Sequence, residues 1–364
     1  VSVLGDLYHG RNRFDFSRAW RISLPLAVAT TVLAVVLLLT RGLELSVDFE
    51  GGGVWEVPVD PGLTVADARQ ALAGVELAEA RIQLMRDPDG RTWLRVQAGT
   101  EAVERQADIT ERMADLGDTT VDQVAVNTVG PTWGDEITNQ ALRALVFFFI
   151  AVSLYLAWRL EWRMAAGALA AVVHDLTLTA GVFALFGFQV TPATVIALLT
   201  ILGYSLYDTV VVFDKVLAAQ SDPNAPGSRS YRQMVSDATN QVFMRSVNTT
   251  VTTLLPVLSM LFIGSFLLGG ATLRDFSLAL LVGLLAGAYS SIFVSAPLLV
   301  ALHERNARRP TAEGGRRRPE PHRERAAPTG GVAHGSPGRS DAGPARVPTT
   351  RRGTGVKPAK RRRG

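Results

Sequence analysis

Six long apolar runs constrain this chain more than any other feature. They lie at residues 23–39, 141–158, 165–188, 190–213, 247–268 and 273–302, each near the roughly 20 residues a helix needs to cross a bilayer. One soluble core would have to hide all six, and helices that are apolar all round argue against that. The expected fold is a polytopic α-helical membrane protein whose six spans return the chain to its starting side. The overall hydrophobic fraction of 48% understates this, because it averages the spans with polar ends.

Lysine and arginine placement sets the orientation. Arg11, Arg13, Arg18 and Arg21 precede the first span, Arg159 and Arg163 separate the second from the third, and Lys215, Arg229, Arg232 and Arg245 follow the fourth. From His303 onward there are 17 Lys/Arg against 5 Asp/Glu, whereas residues 41–137 carry 19 acids against 8 bases. Both termini are therefore expected in the cytoplasm, with the acidic segment outside. The net charge of +4 is a difference between regions of opposite sign. The first run reads as an uncleaved anchor, since Arg41-Gly42-Leu43-Glu44 follows it in place of small cleavage-site residues.

The expected division is a cytoplasmic N-terminus at 1–22, a first transmembrane helix at 23–40 and an extracytoplasmic α+β domain at 41–137. A five-helix region at 138–302 follows, with a cytoplasmic loop near 214–245, then a disordered basic tail at 303–364. Within 41–137, residues 54–59 suggest a strand, with Pro58 at an edge or a strand end. Thr64 can cap a helix reaching position 75, with Asp67 completing the capping box. Residues 80–86 and 92–97 form a hairpin around Asp87-Pro88-Asp89-Gly90. Thr100 caps a second helix to Leu116, and 119–127 supplies the last strand. The order β-α-β-β-α-β is that of a ferredoxin-like split βαβ unit, with another α+β topology as the alternative. The tail has almost no large apolar residue to offset chain entropy. Its basic runs suit anionic lipid or ribosomal RNA, or serve only to solubilise and to set topology.

The chemistry sits inside the spans. Asp208 falls within the fourth, where a carboxylate costs a few kcal/mol or more and marks a functional position by default. Tyr204 and Ser205 lie one turn before it, so a hydroxyl can reach it along one face, with Thr209 beside it. His174 and Asp175 lie about 15 Å into the third span. Arg245 heads the fifth, flanked by Asn248 and other polar residues, at the depth of Asp208. An Asp–Arg pair there lowers the cost of both charges and suits a proton relay. The bland alternatives are a snorkelling arginine, an Asp208 that only hydrogen-bonds structurally and a His-Asp helix contact. Gly283, Gly287, Ser290 and Ser291 space small residues for close helix packing. The sequence has no phosphate-binding Gly-x-x-x-x-Gly-Lys loop, no His-Glu-x-x-His and no Gly-x-Ser-x-Gly. Five histidines and no cysteine leave little for a transition-metal site. The chain reads as a non-enzyme without a cofactor, and an ion gradient is the remaining source of work.

The residues resemble the SecF family of protein-export membrane subunits, within the resistance-nodulation-division superfamily. Arg41-Gly42-Leu43 and Asp48-Phe49-Glu50-Gly51-Gly52 follow the first span, and Val129-Gly130-Pro131 precedes the second. His174-Asp175, the stretch from Gly203 to Asp214, Arg245-Ser246 and Ser291-Ile292-Phe293 complete the set. The resemblance implies pairing with SecD in a pseudo-symmetric bundle beside the SecYEG translocon driven by SecA. It implies that the proton-motive force helps exported preproteins finish crossing the lipid bilayer of the bacterial plasma membrane. It assigns proton passage to Asp208 and Arg245, and less directly to His174 and Asp175; Asp48, Phe49, Gly51 and Gly52 carry the external-domain motif. Two alternatives stay open: a half-sized exporter of lipid or small hydrophobic molecules, for which a domain under 100 residues offers little room, and a non-transporting translocon scaffold.

Overall fold

The computed structural model describes residues 14–75, 77, 80–86, 90–222, 230–267 and 271–307, all within one compact unit. The basic tail beyond position 307, Arg11, Arg13 and the hairpin tip 87–89 lie outside the described residues.

Helix α1 (Phe16–Arg41) is followed by β1 (Glu44–Leu45) and a single turn, α2 (Val47–Glu50). Next come β2 (Gly52–Val59), α3 (Val65–Ala71), β3 (Arg81–Arg86), β4 (Thr92–Ala98), α4 (Gln106–Leu116) and β5 (Ala125–Val129). The helices α5 (Pro131–Arg159) and α6 (Trp162–Phe186) follow, then β6 (Gln189–Val190), α7 (Pro192–Gln220) and α8 (Tyr231–Ser259). The last span is α9 (Ala271–Ser290), a π-type turn (Ser291–Ser295) and α10 (Ala296–Ala307).

Among the described residues, six helices are long and apolar enough to span a bilayer, so the chain is a multi-pass helical membrane protein. The spans differ in burial. Those built on α6, α7 and α9–α10 are 44%, 44% and 61% buried over their most apolar windows, against 17%, 11% and 11% for the other three. The first group is thus the centre of the bundle. Close approach there depends on glycine. A methyl group at Gly283 would collide with Ile201, and one at Gly287 would lie 2.9 Å from Ser205 Cβ. Gly181 in turn admits Ala34 of α1. Arg159–Asp214 at 3.1 Å and a two-pronged Arg232–Glu304 contact at 3.1 Å tie helix ends together. The helices outrun their apolar runs. α7 continues to Gln220 and α8 starts at Tyr231, so the expected loop near 214–245 contracts to the residues between them. Helix α10 likewise carries ordered structure to Ala307, past the expected start of the tail.

The α/β domain between the first two spans has sheet order β3-β4-β2-β5, with every neighbouring pair antiparallel. One face is covered by α3 and α4 over Trp55, Val57, Leu94, Ile109 and Met113, all fully buried. Trp55 Nε1 donates to Thr110 Oγ1 at 3.1 Å, which satisfies the indole inside this core. The Thr64–Asp67 capping box forms as the sequence predicts. Its bonds from the Thr64 hydroxyl and amide hold the Asp67 carboxyl below its ordinary range. α3 ends at Ala71 and a 3-10 turn covers the remaining residues to Val75. Thr100 does not cap α4. It opens a separate 3-10 turn, and the helix begins at Gln106. The last strand starts only at Ala125, because Val121–Gln123 forms another 3-10 turn. Pro58 sits in a central strand, but β5 pairs only as far as Glu56, so its missing N–H costs no ladder bond on that side.

The Asp48-Phe49-Glu50-Gly51-Gly52 motif is the joint between domain and bundle. Gly51 and Gly52 adopt φ of 79° and 131°, values that side chains disfavour. Gly134 of α5 fits beneath the turn, where a Cβ would lie 2.6 Å from Phe49 O. A second joint is the parallel pairing of β1 with β6. Arg81 contacts Glu44 and donates to Gly187 O at 3.0 Å, and Gln189 donates to Gln97 at 2.8 Å. Strands of the sheet thereby grip the connection between the third and fourth spans.

Candidate functional site: two carboxylates and a serine pair

Asp175 on α6 is completely buried. Its Oδ1 lies 3.0 Å from His174 Nδ1. Its Oδ2 accepts from two hydroxyls, Ser205 on α7 at 2.5 Å and Ser290 at the end of α9 at 2.7 Å. Asp208 on α7 is half-buried and repeats the pattern. Its Oδ2 accepts from Ser246 on α8 and from Ser291 at 2.6 Å. Each carboxylate oxygen thus collects two serine hydroxyls, one of them from the same pair of adjacent residues on the sixth span. Among the described residues, neither has a lysine or arginine partner. Each carboxyl is held by serine hydroxyl donors, with the His174 ring as an additional neighbour of Asp175.

The serine pair sits where the helix changes pitch. The π-type turn from Ser291 to Ser295 begins at the second serine, and its carbonyls are claimed by side chains. Trp20 Nε1 donates to Ile292 O and Ser23 Oγ to Phe293 O, each at 3.1 Å. Ser295 Oγ donates to Ser291 O at 2.6 Å. A π-turn inside a helix often accompanies function, and here the first span braces it from one side while the carboxylates engage it from the other.

Beside Asp208 is a cavity of about 30 Å³, walled also by Tyr204, Ser205, Ser246, Thr249 and Thr250. That is room for a water or two, since one needs roughly 10–15 Å³. Two buried polar atoms in this region make no hydrogen bond: His174 Nε2 and Thr209 Oγ1.

The structure brings the sequence-predicted residues together with three changes. Ser205 donates to Asp175, not along its own helix to Asp208. Arg245 does not pair with Asp208. Its guanidinium donates to Tyr207 Oη at 2.7 Å and lies 5.8 Å from that ring, on the exposed side of α7 and α8. Ser290 and Ser291 are donors to carboxylates as well as small packing residues. Tyr204 and Asn248 are exposed, and Gly283 and Gly287 pack α9 against α7.

Comparison with known proteins supports the same elements. A family model for the protein export membrane protein SecD/SecF, C-terminal region, matches residues 108–305. The chain is 41% identical over 308 residues to protein translocase subunit SecF of Streptomyces coelicolor, covering 84% of this chain and 82% of the relative. It is 36% identical over 312 residues to the SecF subunit of Mycobacterium tuberculosis strain H37Rv, covering 84% and 70%. The crystal structure of SecDF, a translocon-associated membrane protein from Thermus thermophilus, superposes with a TM-score of 0.71 at 32% identity. That match covers 81% of this chain but only 39% of the longer one. The family match takes in both carboxylates, the serine pair and five of the six spans, and the chain belongs to the SecF family of protein translocase subunits.

Proposed function

We propose that this chain is the SecF-type half of a SecD–SecF pair that uses the proton-motive force to promote late stages of protein export. The observation that carries the reading is Asp208: an ionisable group in a span, held by hydroxyls alone, at the wall of a small cavity. A carboxylate without a fixed cation can gain and lose a proton without leaving an uncompensated charge on a neighbour. Asp175 with His174 forms an inner station. Because His174 Nδ1 faces Asp175, its unpartnered Nε2 is the ring position free to exchange a proton. Arg245 acts from the exposed face, where SecD is the expected neighbour, through its contact with Tyr207. Pairing with SecD is supported by the SecDF relatives, in which one chain carries both names. The termini are assigned to the cytoplasm and the α/β domain to the opposite side from the distribution of basic residues. There the domain meets preproteins leaving the SecYEG channel driven by SecA.

The test is preprotein translocation into vesicles carrying this chain with SecD, with and without an imposed proton gradient. Asp208→Asn is expected to insert normally and to lose the stimulation by the gradient. Stimulation equal to that of the unaltered protein would refute the assignment.

A further inference from the structure

We propose that Ser290 and Ser291 are a paired hydroxyl switch that reports the protonation state of the two carboxylates to the sixth span. The inference rests on the reading of Asp208 as a proton carrier and adds how its proton is read. Each serine hydroxyl has one hydrogen and two acceptors within reach. Ser291 Oγ is 2.6 Å from Asp208 Oδ2 and 3.1 Å from Ala288 O on its own helix. Ser290 Oγ is 2.7 Å from Asp175 Oδ2 and 3.3 Å from Gly287 O. An ionised carboxylate only accepts, so both hydroxyls point toward it. When a proton arrives on Oδ2, that oxygen becomes a donor and cannot keep two hydroxyl hydrogens aimed at it. The serine turns its hydrogen to the carbonyl behind it and accepts from the carboxyl instead. No covalent bond changes except the O–H formed on the carboxylate, and each donor keeps an acceptor.

The position makes the reversal mechanical. Charge-assisted bonds tie the sixth span to the third at Ser290 and to the fourth at Ser291, and they weaken when the carboxylate is neutral. The π-type turn starts at that point, so the segment that loses its anchor is the one whose pitch is already irregular. The groups facing the switch are few. Around Asp208 they are Ser246 from α8 and, on its own helix, Tyr204 and Tyr207, the latter holding Arg245. Around Asp175 they are His174, Ser205 and the ring of Tyr289, 6.3 Å from that of His174.

Hydrogen exchange at the amides of residues 288–298, measured on the full chain with SecD in vesicles across pH, tests this. The unaltered protein is expected to show a pH-dependent step of roughly ten- to a hundredfold in the π-turn, the size of one charge-assisted hydrogen bond. Ser291→Ala should remove the step, and Ser291→Thr, which keeps the hydroxyl, should restore it. A full step in Ser291→Ala at normal abundance overturns the switch, even if Asp208→Asn still abolishes gradient-driven translocation. Conversely, if Asp208→Asn removes the step but leaves translocation intact, the switch stands and the coupling role of Asp208 falls.

Discussion

The two buried centres of this molecule are built on opposite rules. The α/β domain closes over Trp55, Leu94, Ile109 and Met113, with the Trp55–Thr110 bond inside. The bundle, surrounded by apolar helices, buries His174, Asp175, Ser205, Ser246, Ser290 and Ser291 at its middle. A water-soluble domain gains stability by removing apolar surface from water. A helix bundle in lipid gains little that way and relies on close packing and interhelical hydrogen bonds. The polar centre therefore holds the helices together through its hydrogen bonds, while the domain core is held by buried apolar surface.

The comparison can be broken most forcefully at Asp175. Asp175→Ala removes the carboxylate that Ser205, Ser290 and His174 share in a closed site. We expect it to cost roughly 3–5 kcal/mol, read as a lower unfolding temperature of the purified chain in detergent. Met113→Ala, a cavity in the domain core, is expected to cost about 2–5 kcal/mol. It should act on the domain alone, leaving hydrogen exchange in the bundle unchanged. If Met113→Ala loosens the serine turn as much as Asp175→Ala does, the two centres are not independent. A smaller effect is expected from Gly287→Ala. The new methyl meets Ser205, and overpacking of this kind costs about 1–3 kcal/mol. Its mark is a weakened Ser205–Asp175 contact, visible as a change in the carboxylate stretching band, whereas Gly203→Ala, with open space around it, should leave that band unmoved.

The smallest effect belongs to the domain surface. Thr64→Ala removes the cap of α3 and should cost about 1 kcal/mol. Asp67 adds a pH signature. Its folded carboxyl titrates below its unfolded value, so its contribution is present above the ordinary aspartate range near pH ~4 and fades as pH falls through the folded value. The stability difference between the native protein and Asp67→Asn should accordingly vanish on strong acidification. A difference that persists there would mean that the capping box is not its source.

Much of this arrangement was legible in the residues. Ionisable groups inside apolar runs are conspicuous, so Asp208 and the His174-Asp175 pair stood out without any structure. The six spans and the capping box also follow from local pattern. What could not be read is which helix faces which. Ser205 lies within one turn of Asp208 along the sequence, yet the rotation of α7 against α6 turns it to Asp175. Arg245 reaches the fourth span but lands on Tyr207, the exposed residue beside Asp208. Ser290 and Ser291 read as packing residues in the sequence because a serine in a span signals small size and hydrogen bonding alike. Only the register between three helices separates the two. In the domain, 3-10 turns before α4 and β5 shifted both starts, since short turns leave no periodic trace.

The central claim is that Asp208 carries the proton, and proton entry is its most direct reading. Vesicles holding the chain with SecD and a luminal pH dye would be given an inward proton gradient, with Asp208 intact or replaced by Asn at equal insertion. The account predicts entry above the lipid background only when Asp208 is present. Equal entry in both would contradict it and leave Asp208 as a structural acceptor for Ser246 and Ser291.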